Sequence, residues 1–352
     1  MSHASARPIG RRRLSLAALA LAAALSIVGC SPASDAAPEP ADGNGVSIEH
    51  AHGTTVIPEK PKRIVTLGWM TADIVAALGE NPVGVEKVWG AGESGFQPWF
   101  EDYVTEEYGE TPALIEYTED GPNYEAIKAL KPDLILGLYT GLTDVEYQRL
   151  SEIAPTVPYL ERPWDAGTWE DMTRTVGKAM WADERAEQAV TETTDLVASL
   201  AEEHPEFTGK SVVWGLSLTE GSTDLGVYLD YDPRVRITEA LGFDSTSAMS
   251  TFYETAEGDN WYTGVSLERL NEVDADLFAA WAGTVAEAEY TVANKVVARW
   301  APIAKGSYVF YAGEADASAI SAPTVLSLQY ILPTYVDDLA EALAGTPTIA
   351  GP

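Results

Sequence analysis

The segment EAIKALKPDL at 125–134 returns later in the chain as ERLNEVDADL at 268–277. Glu125 and Glu268 open the two copies, Ile127, Leu130 and Leu134 fall against Leu270, Val273 and Leu277, and Asp133 falls against Asp276. In the first copy the apolar positions from Tyr124 to Leu130 keep helical spacing, Pro132 stops them, and Leu134 to Leu138 is a short apolar run of strand length. The second copy reads as a helix from Leu267 to Val273 leading into a strand at Asp276 to Ala279. Ala77, Leu78 and Gly79 likewise return as Ala240, Leu241 and Gly242, in the same order along the chain. Two echoes in register predict two lobes built on one plan.

Outward from those copies the alternation continues. Arg63 to Leu67 is a β-branched run, Trp69 to Leu78 is helical in spacing and stops at Gly79, and Pro82 to Val85 is a further strand. In the second half Ser211 to Trp214 is a strand, and Val235 to Leu241 a helix stopped by Gly242. Strands alternating with helices predict an α/β fold, here two doubly wound lobes with parallel sheets covered on both faces. Between them Asp183 is placed to cap a helix on which Ala186, Val190, Thr193, Val197 and Leu200 form one stripe. Run to Glu203, it spans about 30 Å at 1.5 Å per residue, enough to cross from one lobe to the other. The expected division is a first lobe at 46–180, an interlobe helix at 181–206 and a second lobe at 207–352.

Ahead of the lobes, Arg7, Arg11, Arg12 and Arg13 precede an apolar stretch from Leu14 to Val28, too short for a membrane span. Residues 1–29 read as a signal peptide, and the Arg12-Arg13 pair leaves both general and twin-arginine export open. Cys30, the single cysteine of the chain, follows Ile27, Val28 and Gly29, and this run resembles a bacterial lipobox. The resemblance implies lipidation at Cys30 and a protein held at the outer face of the cytoplasmic membrane through that anchor alone. Residues 30–45 are Ala, Pro, Ser, Asp, Glu and Gly without apolar periodicity, a flexible tether. The formal charge of −32 repels phosphate backbones, so nucleic acid is excluded as a partner.

Ligands of open α/β sheets bind outside the carboxyl ends of the strands. Trp69, Trp89, Trp99, Tyr139 and Trp164 in the first half, and Trp214, Tyr228, Trp261 and Trp281 in the second, mostly fall just after such ends and are the expected cleft aromatics, with Arg162 and Arg234 as basic candidates that equally fit surface ion pairs. Gly90 to Gly95 fits a dinucleotide fingerprint in letters, but Pro98 stands where the helix should run, so the segment is expected at the cleft rim. His50 and His52 could pair on one strand face, yet a metal centre needs several more converging ligands, and no metal site or cofactor is expected. The chain has no Gly-x-Ser-x-Gly elbow and no cysteine suited to catalysis, which speaks against an enzyme.

Pro61 to Leu67, the two Ala-Leu-Gly strings, Pro82 to Val85, Asn123 to Ile135, Ile153 to Val157 and Val265 to Leu270 together resemble the iron-siderophore and cobalamin binding proteins of bacterial ABC importers. The resemblance implies an extracytoplasmic monomer that captures a small iron chelate, a ferric siderophore carried as cargo, between two rocking lobes and delivers it to a permease. It also implies that Glu125 and Glu268 meet arginines of that permease. Cobalamin or haem is the alternative cargo. The alternative of another class is a lipid-anchored hydrolase using Glu125 or the Asp-rich loops.

Overall fold

The computed structural model describes residues 45–118, 121–165, 167–253 and 261–351; the signal peptide, Cys30 and the tether before Gly45 lie outside the described residues. The described chain opens with an antiparallel hairpin, β1 (Val46–His50) and β2 (Gly53–Ile57). Five strands follow, β3 (Ile64–Thr66), β4 (Gly84–Glu86), β5 (Ala113–Ile115), β6 (Leu134–Gly137) and β7 (Thr156–Pro158), in an all-parallel sheet of order β5-β4-β3-β6-β7. Every residue of β3, β6 and β7 is buried, as a parallel sheet covered on both faces requires.

The second sheet has seven strands: β8 (Ser211–Leu216), β9 (Asp224–Tyr228), β10 (Asp244–Ser245), β11 (Tyr262–Ser266), β12 (Leu277–Trp281), β13 (Tyr308–Tyr311) and β14 (Thr348–Ala350). Its order is β11-β9-β8-β12-β13-β14, with β10 paired beside β8. From β8 to β14 the ladder is parallel, but β9 runs antiparallel to both β8 and β11, so the second lobe departs from the expected repetition of the first. Leu267–Glu272 departs as well, forming a 3-10 segment rather than an α-helix. Asn123 caps its counterpart, Tyr124–Ala129, by accepting from the Ala126 amide at 3.1 Å, whereas Ser266 makes no such bond.

Glycine ends helices in both lobes as expected, with Gly79 at φ +101° after Thr71–Ala77 and Gly242 at φ +108° after Pro233–Ala240. The long helix spans Asp183–Glu203. Asp183 is its first residue rather than its cap, and together with Glu184 it sets negative charge in the first turn, where the helix dipole favours it. Ala186, Val190, Thr193 and Val197 are buried against helices Trp169–Ala179 and Ser327–Leu343.

One apolar core runs through both lobes, from Ile64 and Val75 in the first to Trp214, Leu328 and Tyr335 in the second, while each sheet's other face has a core of its own. At the lobe junction Asp73 is fully buried. Its Oδ2 accepts from the Trp99 indole at 2.7 Å and from Thr324 Oγ1 at 2.6 Å. Thr324 Oγ1 in turn accepts from the amides of Leu326 and Ser327, at the start of the 17-residue helix Ser327–Leu343. Burial pushes the Asp73 carboxyl up to about 6, against the pull of the Thr324 and Trp99 hydrogen bonds.

Candidate ligand cleft

Between the lobes, at the carboxyl ends of the central strands, lies a cavity of about 480 Å³. Its first-lobe wall is Trp69, Trp89, Tyr139 and Trp164. Trp69 stands in the turn that leaves β3, and Gly68 makes the turn possible: its φ is +71°, and a Cβ there would collide with the Tyr139 carbonyl and the Thr140 methyl. The Trp69 amide donates to the Tyr139 carbonyl at 3.2 Å, which ties the turn after β3 to the turn after β6. Glu86, at the end of β4, accepts from the Gly68 amide at 2.7 Å and props the same turn from below. Burial pushes the Glu86 carboxyl up to about 7, the Gly68 amide opposing and Glu146 adding to the rise. Trp164 in this wall (φ +59°), and Met70 behind it in the turn after β3 (φ +67°), hold left-handed backbones that cost a residue with a Cβ roughly 1–2 kcal/mol each.

The rings form a chain. Trp164 meets Tyr139 edge-on at 6.1 Å, Tyr139 meets Trp69 at 5.9 Å, and Trp69 stacks on Trp89 at 5.6 Å. Trp89 then crosses to the second lobe, meeting Trp281 edge-on at 5.5 Å. These are the spacings at which aromatic pairs attract. The buried indole N–H of Trp281 has no hydrogen-bond partner among the described residues.

The second-lobe wall is Tyr228, Asp232, Arg234, Trp261, Tyr262 and Trp281, with Ser321 at its edge. Tyr228 ends β9 and Tyr262 begins β11, so the antiparallel pair carries this side of the cavity. Arg234 lies with its guanidinium carbon 3.7 Å from the Tyr228 ring centre. Its Nε and Nη2 donate to Asp232 Oδ1 and Oδ2, each at 2.9 Å, and Asp232 Oδ1 also accepts the Arg234 amide as cap of helix Pro233–Ala240. Burial pushes the Asp232 carboxyl up while the Arg234 guanidinium pulls it down; burial likewise works against charge on Arg234, and the carboxylate more than offsets it.

A match to the family described as "Periplasmic binding protein" covers residues 64–282. The chain belongs to the periplasmic binding protein family. Family membership carries the coarse function, substrate binding outside the cytoplasm in an ABC import system. Among its relatives, the Fe(3+)-citrate-binding protein YfmC of Bacillus subtilis is 27% identical over 282 residues, 77% of this chain and 80% of that one. The probable siderophore-binding lipoprotein YfiY of the same organism is 31% identical over 234 residues, 66% of this chain and 67% of that one. The crystal structure of Streptococcus pneumoniae TIGR4 PiaA in complex with ferrichrome superposes with a TM-score of 0.76 at 28% identity, over 85% of this chain and 99% of that one.

For a periplasmic binding protein the aromatic cavity is the natural candidate site, and it gathers Trp69, Trp89, Tyr139, Trp164, Tyr228, Arg234 and Trp281. Trp214 is a correction. It lies inside β8 rather than at its end, is 2% exposed, and donates its indole N–H to Thr238 and Tyr335 in the core. Arg162 lines a neighbouring hollow of about 350 Å³ with Tyr231 and Arg236, and its guanidinium is held by Asp165 at 2.6 Å. Trp261 lines the cavity, whereas Trp99 is a second correction: it is buried at the lobe junction, with its indole N–H on Asp73. Asp232, Tyr262 and Ser321 went unread because no motif marks them. Gly90 does not open a nucleotide loop. It presses the backbone against Ser318 and Glu314 of the second lobe, where a Cβ would collide, and Pro98, the residue that argued against a helix, is the first residue of Pro98–Tyr108.

His50 and His52 serve the hairpin. His50 is bonded to Thr55 Oγ1 at 2.8 Å and to the His52 amide at 3.2 Å, and His52 to Asp144 at 2.7 Å and the Leu142 carbonyl at 3.2 Å, so all four ring nitrogens are engaged. A further hollow of about 810 Å³ lies by Ser211, Glu239, Asp244 and Asp274. Ser211 begins β8, so that hollow is at the amino end of the sheet, away from the cleft.

Proposed function

We propose that this protein is a lipid-anchored monomer that captures a ferric siderophore in the aromatic cleft and hands it to an ABC importer permease without chemical turnover. The observation that carries the reading is the cavity itself, walled by indole and phenol rings from both lobes and of a size for a small rigid chelate. Trp69, Trp89, Tyr139, Trp164, Tyr228 and Trp281 would pack on the chelate, and Arg234 and the Trp281 N–H would donate to its oxygens. Support comes from relatives whose names record ferric citrate, a siderophore and ferrichrome. Glu125 and Glu268, both exposed, are the proposed permease contacts, able to form charge-assisted bonds with arginines while standing outside the cavity. The lobes are proposed as 46–180 and 207–352, joined by the helix within 181–206, behind a signal peptide at 1–29 and a tether from Cys30.

Titration of tryptophan fluorescence with ferric hydroxamates, ferric catecholates, ferric citrate, haem and cobalamin tests the cargo. Saturable quenching by an iron chelate, with no product released, is the expected result; quenching by haem or cobalamin alone overturns it. Membrane fractionation of Cys30→Ser tests the anchor. The variant should appear in the soluble fraction, and unchanged membrane association would remove lipidation from the reading.

A further inference from the structure

Both arginines that the sequence offers for the cleft are already paired with a carboxylate, and Arg236 lines the neighbouring hollow instead of the cavity. Arg162 is held by Asp165, and Arg234 is held through two bonds by Asp232, which is itself 1% exposed. Asp232 and Arg234 are the charged side chains of the cavity lining among the described residues, so the cavity carries no net charge within a strongly acidic chain. Asp232 is more than a helix cap. A serine or asparagine would cap helix Pro233–Ala240 as well, without burying a carboxylate. What the carboxylate adds is neutralisation of the guanidinium through a bidentate contact. An arginine has five N–H donors in a fixed fork, and two of them are spent on Asp232. The remaining three have no hydrogen-bond acceptor among the described residues, while the charge that would attract an anion is cancelled 2.9 Å away.

We propose that Asp232 sets the charge class of the cargo, restricting the cleft to iron chelates without net negative charge and leaving Arg234 as a hydrogen-bond donor to uncharged oxygen acceptors. The inference rests on the siderophore reading and narrows it. An anionic chelate entering this cavity would meet rings and a compensated guanidinium, with no unpaired positive charge in the described lining to offset its desolvation. Asp232 is a positioning and selectivity residue, since it acts through Arg234.

The test uses two probes of one shape, a neutral cyclic ferric trihydroxamate and the same ferric scaffold bearing carboxylate arms, titrated against the unsubstituted protein and Asp232→Asn. The unsubstituted protein should prefer the neutral probe by roughly tenfold or more, as one uncompensated charge in a cavity of intermediate dielectric implies. In Asp232→Asn the preference should shrink by roughly tenfold or invert, and binding of the carboxylated probe should become salt-sensitive. The double variant Asp232→Asn with Arg234→Gln, neutral again, should return the ratio toward the original. Asp232→Ser keeps a capping oxygen and replaces Asp232→Asn if that variant does not fold. Equal binding of both probes by the unsubstituted protein, or a ratio unchanged within twofold on loss of the Asp232 charge, overturns this inference and leaves the siderophore reading standing. Binding of neither probe nor any other iron chelate overturns both.

Discussion

In the first lobe the Asp133 carboxylate accepts from the amides of Lys62 and Arg63, and its own amide donates to the Arg63 carbonyl at 2.9 Å, setting β6 beside β3. In the second lobe Asp276 accepts from the Ser211 amide at 3.0 Å and donates its amide to the Ser211 carbonyl at 2.9 Å, setting β12 beside β8. The two lobes therefore start their central strands with the same device. They differ at the other end. The sheet of the first lobe adds only parallel strands, and its cleft residues follow the ends of β3, β4, β6 and β7; the second inserts the antiparallel strands β9 and β11, which bring Tyr228 and Tyr262 to the cavity. The duplicated frame fixes where the cleft lies, and the unduplicated strands shape what it receives.

The largest expected effect breaks that comparison at a glycine. Gly68→Ala should cost more than about 3 kcal/mol in denaturant unfolding and abolish ligand binding, because left-handed backbone and a collision with the Tyr139 carbonyl combine. Gly242→Ala, left-handed but with its nearest neighbour atom at 3.8 Å, should cost only about 1 kcal/mol. Equal losses would mean that the first-lobe turn is no tighter than the second-lobe helix end.

Next comes the junction. The folded chain holds a proton on Asp73 up to about pH 6, whereas the unfolded chain releases it near 3.8. Protonation therefore favours folding: stability should rise as pH falls from above 6 toward 4, by an amount on the order of 2–3 kcal/mol, and level off below. Glu86, raised to about 7, adds a rise of the same sign, so Asp73→Asn should keep that part and lose only the share of Asp73, a difference read from unfolding curves at pH 7 and pH 4.5; identical pH profiles would remove Asp73 from the account.

Removing one ring from each wall sharpens the comparison of the lobes. Trp69→Ala and Trp281→Ala should each weaken the iron chelate by roughly 1–3 kcal/mol in calorimetric titration. A loss confined to one of them would place the ligand on a single lobe. The smallest effect is expected at the outer surface, where Glu125→Ala with Glu268→Ala should leave purified affinity within about twofold while iron uptake by cells falls. Loss of affinity in the purified variant would bring the glutamates into the cleft and reopen the hydrolase alternative.

The frame of the fold was legible because it rests on local signals: buried apolar runs at β3, β6, β8 and β12, and glycines just past two helices. The added strands were not. DLGVY and YTGVS are short, broken by Gly226 and Gly264, and paired with each other across a long insertion, so neither carries a signal alone. Within the cleft, Trp214 and Trp281 could not be told apart, since each closes an apolar run. The difference is that β8 runs on to Leu216 while β12 stops at Trp281, and strand ends are the least legible feature of a sequence. Proline misled at Pro98, where it begins a helix instead of forbidding one.

The continuous core across the lobes, and the Asp73, Trp99 and Thr324 contacts embedded in it, also bear on survival outside the cell. Lobes joined only by a flexible hinge could open one at a time and offer half-unfolded chain to secreted proteases. Here opening either lobe also strips the shared core of the other, so the two should melt in one calorimetric peak and partly open species should be scarce. Proteolysis that depends on such species would then track global unfolding. A cargo carrier that spends its working life exposed would gain its durability from the same buried contacts that hold its two halves in register.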